Sequence, residues 1–173
     1  MQRRGSRGTE VIIMSDTHTS VVGPVPGAGG DGRQRVQEVI DAFNTHDAAK
    51  FASFYSPDAI GYDPAAPEPL RGRAGIQQDA QQLITAMPDL VLQLEELLPG
   101  EGPTTAFRAL LVGTHTGPMI MPTGEVPPTG RRASLALAVF CRRGEDGLIE
   151  EEHRYYDLMG LAQQLGLLDP SGP

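Results

Sequence analysis

The sequence predicts an α+β fold: a strongly curved antiparallel sheet, cone-shaped, with the N-terminal helices packed on its concave face. Three observations predict it. Apolar residues recur with a helical period as far as Met87, and with a period near two from Asp89 onward. The strand candidates of the second half are segregated from the N-terminal helices and joined by turn-rich, hairpin-like connections, which points to an antiparallel sheet in an α+β fold. One short apolar-periodic segment then closes the chain. The inner end of such a cone is a natural pocket for an apolar small molecule.

The elements follow in order. Residues 33–46 place Val36, Val39, Ile40 and Phe43 on one helical stripe, with Asp31 as the N-cap. Asp47 caps a second, shorter helix over residues 48–56, carrying Phe51, Phe54 and Tyr55 and ended by Pro57. Residues 59–63 form a short strand, and the proline-rich 64–72 a loop that no central strand tolerates. A third helix over 73–87 has Ile76, Ala80, Leu83, Ile84 and Met87 as its apolar stripe, and Pro88 stops it. Leu90, Leu92 and Leu94 alternate in a strand over 89–98, and a turn at 99–103 leads to a long strand over 104–116. Residues 117–130 read as a loop. The apolar 131–143 reads as a buried strand, and Glu145-Asp146-Gly147 as a hairpin turn into a last strand over 148–156. Asp157 caps a final helix with Leu158, Leu161, Ala162 and Leu165 on one face and Gly166 at its end.

Residues 32–168 therefore form one domain. Residues 1–31, with the linker-like GPVPGAGGDG, read as a disordered tail, and residues 169–173 as a frayed end. Met14 is a possible alternative start. The formal charge of −8 speaks against a nucleic-acid partner, and no apolar run is long enough to span a bilayer. The single Cys141 excludes an internal disulfide and reads as a small buried hydrophobe. With no basic start followed by an apolar core and cleavage site, the expected location is the cytoplasm. No phosphate-binding glycine loop, H-E-x-x-H or G-x-S-x-G is present, and the four histidines are scattered, so neither cofactor nor metal is expected.

The chemistry-bearing residues cluster at the end of the last strand. His153 reads as a general base tuned by a neighbouring carboxylate, or else as a histidine on a charged strand face. Alternation puts Glu151, His153 and Tyr155 on one face and Glu152, Arg154 and Tyr156 on the other. Asp157 is either a pocket acid or simply the helix cap. His115 polarises a carbonyl in the cavity or hydrogen-bonds a loop. Asp63, beside Tyr62, is a pocket acid or a turn-forming Asp-Pro. Phe43, Phe51, Phe54 and Tyr55 read mainly as core, with Phe54 also a candidate substrate contact. Met119 and Met121, apolar residues in a loop, line the pocket mouth or pack on a second subunit.

AFNTHD (residues 42–47), MPDL (87–90), GTHTGP (113–118), PPTGRR (127–132), DGLIEEEHRYYD (146–157) and QQLG (163–166) occur in an order and spacing that resemble the SnoaL-like polyketide cyclase family. That family shares the cone fold of nuclear transport factor 2 and ketosteroid isomerase. The resemblance implies a cofactor-independent cyclase or isomerase that acts on a hydrophobic polyketide-type metabolite by general acid/base catalysis in an apolar pocket. It implies ring closure by intramolecular aldol chemistry in the best-known members. There the catalytic aspartate lies three residues before the strand-ending aspartate, a position that reads Arg154 here. It also implies that Glu152 and Arg154 face the cavity, whereas the chemistry of His153 favours the opposite face, and the choice stays open at this point. In this reading Glu152, His153 or Asp157 moves the proton. Arg154, His115 and Asp63 place or polarise oxygen atoms, and Tyr62, Phe54, Tyr156, Met119 and Met121 hold substrate. The alternatives are epoxide opening, with Asp63 and a strand-end carboxylate aimed at one epoxide, and a non-catalytic binding or dimerisation module. A homodimer or higher homo-oligomer is the expected assembly.

Overall fold

The computed structural model describes residues 31–98 and 102–168. The expected tail and frayed end fall outside them, apart from Asp31, which opens the first helix. Most of the turn expected at 99–103 also lies outside them.

Helix α1 (Asp31–Asn44) buries Val36, Val39, Ile40 and Phe43, the stripe its spacing predicts. Its end is pinned to the sheet. The Asn44 side chain donates to Leu92 O and accepts from Leu92 N, both at 2.8 Å, and His46 Nε2 lies 2.8 Å from Leu90 O. His46 turns the chain with a left-handed φ of 58°. Helix α2 (Ala48–Ala52) begins at Asp47, whose carboxylate accepts from Lys50 N.

Strand β1 (Tyr55–Tyr62) starts four residues earlier than expected. Tyr55 belongs to it and not to the helix, because it pairs with Ile149 at the far end of the chain. The register then jumps to Ile60, leaving Pro57 in the irregular stretch where its missing N–H costs no ladder bond. Strand β2 (Leu70–Arg71) is an edge remnant of the proline-rich loop. Helix α3 (Gly72–Ala86) follows, then β3 (Val91–Leu98) and β4 (Thr104–Thr114).

The segment expected to be a loop contains a small hairpin, β5 (Met119–Met121) with β6 (Gly124–Val126). Its alternation buries Met119 and Met121 and exposes Ile120. Strands β7 (Arg132–Arg143) and β8 (Ile149–Tyr156) and helix α4 (Leu158–Gln164) complete the chain.

The main sheet runs β2-β1-β8-β7-β4-β3. It is curved, unclosed and mostly antiparallel, with one exception to the expectation: β1 and β8 are parallel. Strands β4 and β7 form its spine, paired without a break from Thr104↔Arg142 to Thr114↔Arg132. Strand β7 was expected to be buried throughout, yet only one face is. Ala133, Leu135, Val139 and Cys141 point at the helices, while Ser134, Ala136, Phe140 and Arg142 are exposed, because no described element covers that side. The core lies between the concave face and helices α1–α3.

The segment after β4 seals the end of α3. Thr116 N and Gly117 N both donate to Ala86 O, satisfying an orphan helix carbonyl. Gly117 permits this approach, since a Cβ there would collide with the Thr85 carbonyl oxygen.

Candidate active site

Between the helices and the sheet lies a cavity of about 160 Å³. Its walls are mainly apolar, with Leu83, Phe107, Leu111, Met119, Leu135 and Leu137 among them. One end is different in kind: there Asp63, Asp79, Glu152, Arg154 and Tyr156 line it.

Strand β8 builds that end. It is an interior strand, flanked by β1 and β7, so every second residue is forced against the core. Glu152, Arg154 and Tyr156 take those positions, and Glu151, His153 and Tyr155 face outward. The face left open by the sequence is thus decided.

Arg154 is the hub, its side chain 13% exposed. Its Nε donates to Glu152 Oε1 at 2.6 Å. One terminal nitrogen, NH1, donates to Asp79 Oδ2 at 2.7 Å and to Asp63 Oδ2 at 3.2 Å. Two phenols complete the network: Tyr55 OH donates to Glu152 Oε2 at 2.6 Å, and Tyr156 OH to Asp63 Oδ1 at 2.5 Å. The Cys141 thiol lies 3.5 Å from Glu152 Oε2, and the Ala65 N–H donates to Asp63 Oδ1 at 2.8 Å. Asp63 therefore forms its turn and joins the cluster at once.

Burial sets the electrostatics. It disfavours the charge on Arg154, but Glu152 and Asp79 outweigh it and hold the guanidinium protonated. Burial raises the pKa of Asp79, with Arg154 opposing. Burial and then Glu152 push the Tyr55 hydroxyl and the Cys141 thiol well up, and burial and then Asp63 do the same for Tyr156. Both phenols thus remain hydrogen-bond donors at neutral pH. Among the described residues, no three His, Cys, Asp or Glu side chains are arranged to hold a metal ion; a guanidinium occupies the centre of the carboxyl cluster.

The other residues singled out in the sequence lie elsewhere. His153 is on the outer face, its ring stacked on Tyr62 at 4.4 Å and its Nε2 2.7 Å from Glu151 Oε1. Tyr62 shares that outer face. Asp157 is exposed and accepts from Gly160 N at 2.7 Å as the cap of α4. His115 is fully buried but outside the cavity wall; its Nδ1 is 3.1 Å from Thr129 Oγ1, and burial lowers its pKa. Phe54 packs partly buried against the core and does not line the cavity. Met119, Met121 and Tyr156 do line it.

Two members of the cluster were missed. Tyr55 was assigned to a helix, which hid its alignment with Glu152. Asp79 sits between Ile76 and Leu83 on the buried stripe of α3. A lone carboxylate within an apolar helical stripe was the signal that marked it.

No curated protein matches the chain. Solved structures do. AclR of Streptomyces galilaeus, a proposed hydroxylase, is 25% identical over 83% of this chain and 85% of its own, with a TM-score of 0.67. TsrD of Streptomyces laurentii is 29% identical over 79% and 95%, with a TM-score of 0.66. IdmH of Streptomyces antibioticus, a proposed polyketide cyclase, is 26% identical over 79% and 99%, with a TM-score of 0.63. The sequence profile of the SnoaL-like polyketide cyclases matches residues 33–165, nearly the whole of the described fold. The chain belongs to the SnoaL-like polyketide cyclase family.

Proposed function

We propose that this protein, without a cofactor, cyclises or isomerises a hydrophobic polyketide-type metabolite by general acid/base catalysis. The observation that carries the reading is the Arg154-centred carboxyl cluster at one end of an otherwise apolar cavity. The apolar walls take up the substrate body and exclude water, which strengthens the hydrogen bonds at the polar end. Family membership and the likeness to IdmH support the substrate class.

The roles follow from the contacts. Glu152 is an anchor, both its oxygens being held by buried donors from β1, β7 and β8. Asp63 is the base that removes a proton from the carbon beside a carbonyl. Tyr156 OH and Arg154 NH1 hold its carboxylate in place, and the Arg154 guanidinium supplies the positive charge beside which the enolate oxygen develops.

Deuterium exchange tests this without the natural substrate. In heavy water the protein should wash deuterium into the carbon next to the carbonyl of 2-tetralone, a bicyclic ketone. Asp63→Asn should slow that exchange at least ~10²-fold. Exchange no faster than in buffer alone would refute the reading.

Epoxide opening is the second reading, favoured by one feature: Asp63 and Asp79 flank a single guanidinium. Oxygen-18 from solvent appears in the product of hydrolysis and not in that of intramolecular cyclisation.

The outer sheet face supports self-association. Tyr62, Val91, Phe140 and Tyr155 are exposed there, with Phe140 edge-on to Tyr155 at 5.8 Å. Sedimentation should give a dimer or larger that Tyr155→Glu dissociates; a monomeric wild type at micromolar concentration contradicts the assembly.

A further inference from the structure

The three carboxyl groups around Arg154 share their donors unequally. Glu152 receives Arg154 Nε, the Tyr55 hydroxyl and the Cys141 thiol. Asp63 receives Arg154 NH1, the Tyr156 hydroxyl and the Ala65 N–H. Asp79 receives Arg154 NH1 alone, and its Oδ1 accepts from no described residue. One guanidinium cannot balance three carboxylates at the end of an apolar cavity, so a proton belongs in the cluster. It belongs on the carboxyl whose charge has the fewest donors, Asp79, which also lines the cavity and at 25% exposed, against 9% for Asp63 and 6% for Glu152, is the one a bound substrate reaches.

We propose that Asp79 stores this proton at neutral pH and delivers it to a carbonyl oxygen of the bound substrate. The proposal rests on the acid/base reading above and supplies the acid which that reading lacks. Burial raises the pKa of Asp79, and the charges of Asp63 and Glu152 add to the shift against the opposing pull of Arg154.

The step balances without a co-reactant. Asp63 takes the proton from the carbon beside the carbonyl, and the released C–H pair forms the enol double bond. The carbonyl π pair takes the proton of Asp79, whose new charge Arg154 NH1 already faces at 2.7 Å. In ring closure the enol carbon bonds to a second carbonyl carbon. Asp79 then recovers the enol O–H proton as the first carbonyl re-forms, and Asp63 gives its proton to the new alkoxide. Both side chains return to their starting states.

Infrared spectroscopy near neutral pH, with and without 2-tetralone, tests the proposal. Wild type should show a protonated-carboxyl band that Asp79→Asn lacks and Asp79→Glu retains at a shifted position. Asn keeps an oxygen acceptor for Arg154, and circular dichroism confirms that each variant is folded. The carbonyl stretch of added 2-tetralone should lie lower with wild type than with Asp79→Asn, because a carboxyl donor weakens the C=O bond. Absence of the band in wild type, its survival in Asp79→Asn, or an identical ketone stretch in both overturns the proposal. If deuterium exchange fails while the band and stretch behave as stated, the catalytic reading falls and the location of the proton stands.

Discussion

Arg154→Met removes the one cation of the cluster while leaving an unbranched side chain of similar reach. Glu152, Asp79 and Asp63 then lose a charge partner at 2.6, 2.7 and 3.2 Å. Their side chains are only 6%, 25% and 9% exposed, so water does not replace it. Breaking a buried ion pair from one side costs about 3–5 kcal/mol. For a domain of this size that corresponds to a fall in melting temperature of roughly 10–20 °C. The deficit depends on pH in a defined direction. Burial already raises the pKa of Asp79 in the wild type, and without the guanidinium that opposes the rise it climbs further. A raised carboxyl is best tolerated in acid and loses stability as pH rises through its folded pKa. The gap between variant and wild type should therefore be narrow in the ordinary carboxylate range, about pH 4, and widest above neutrality. Adding Glu152→Gln should recover part of the loss, since the two residues are directly coupled. Thermal and urea melts across this range measure all three effects. A variant that melts within about 2 °C of wild type at neutral pH, or a deficit independent of pH, would refute the view that Arg154 balances buried carboxylates.

Tyr55→Phe deletes a fully buried donor to Glu152 and should cost about 1.5–3 kcal/mol in a urea titration, with little change in volume. Gly117→Ala forces a Cβ onto the Thr85 carbonyl oxygen at the end of α3, and should lower stability by about 1–3 kcal/mol on the same measurement. His115 has its pKa lowered by burial, so its contribution to stability is complete above its ordinary value and declines as pH falls through that value toward the folded one. A stability profile over this window should slope in wild type and flatten in His115→Gln.

The local elements were readable where one spacing had one meaning. Val36, Val39, Ile40 and Phe43 marked α1, and Asp47 and Asp157 marked the starts of α2 and α4. Reading failed where a distant partner decided the outcome. Phe51, Phe54 and Tyr55 share a helical spacing, but Tyr55 is drawn into β1 by pairing with Ile149 across nearly the whole domain. The prolines and glycines of residues 117–130 suggest a loop, yet β5 and β6 pair because Met119 and Met121 find the cavity wall. Within the site, Glu152, Arg154, Asp63 and Tyr156 are legible in the sequence, whereas Asp79 is not, since its neighbours on α3 satisfy the helix pattern without it. His153 looked suited to catalysis because its neighbours in sequence are charged. In space those neighbours are on the outer surface, and Tyr62 and Glu151 hold the ring there.

By itself, the sequence determined the order of helices and strands, the caps that start them, and the existence of two faces on β8 that both carry ionisable groups. Only the tertiary structure decided which of those faces is inside. Alternation along a strand distinguishes its two sides but carries no information about which one the helices cover. That is settled by long-range pairing, when β8 is clasped between β1 and β7 and Arg154 is turned under α3 to meet Asp79.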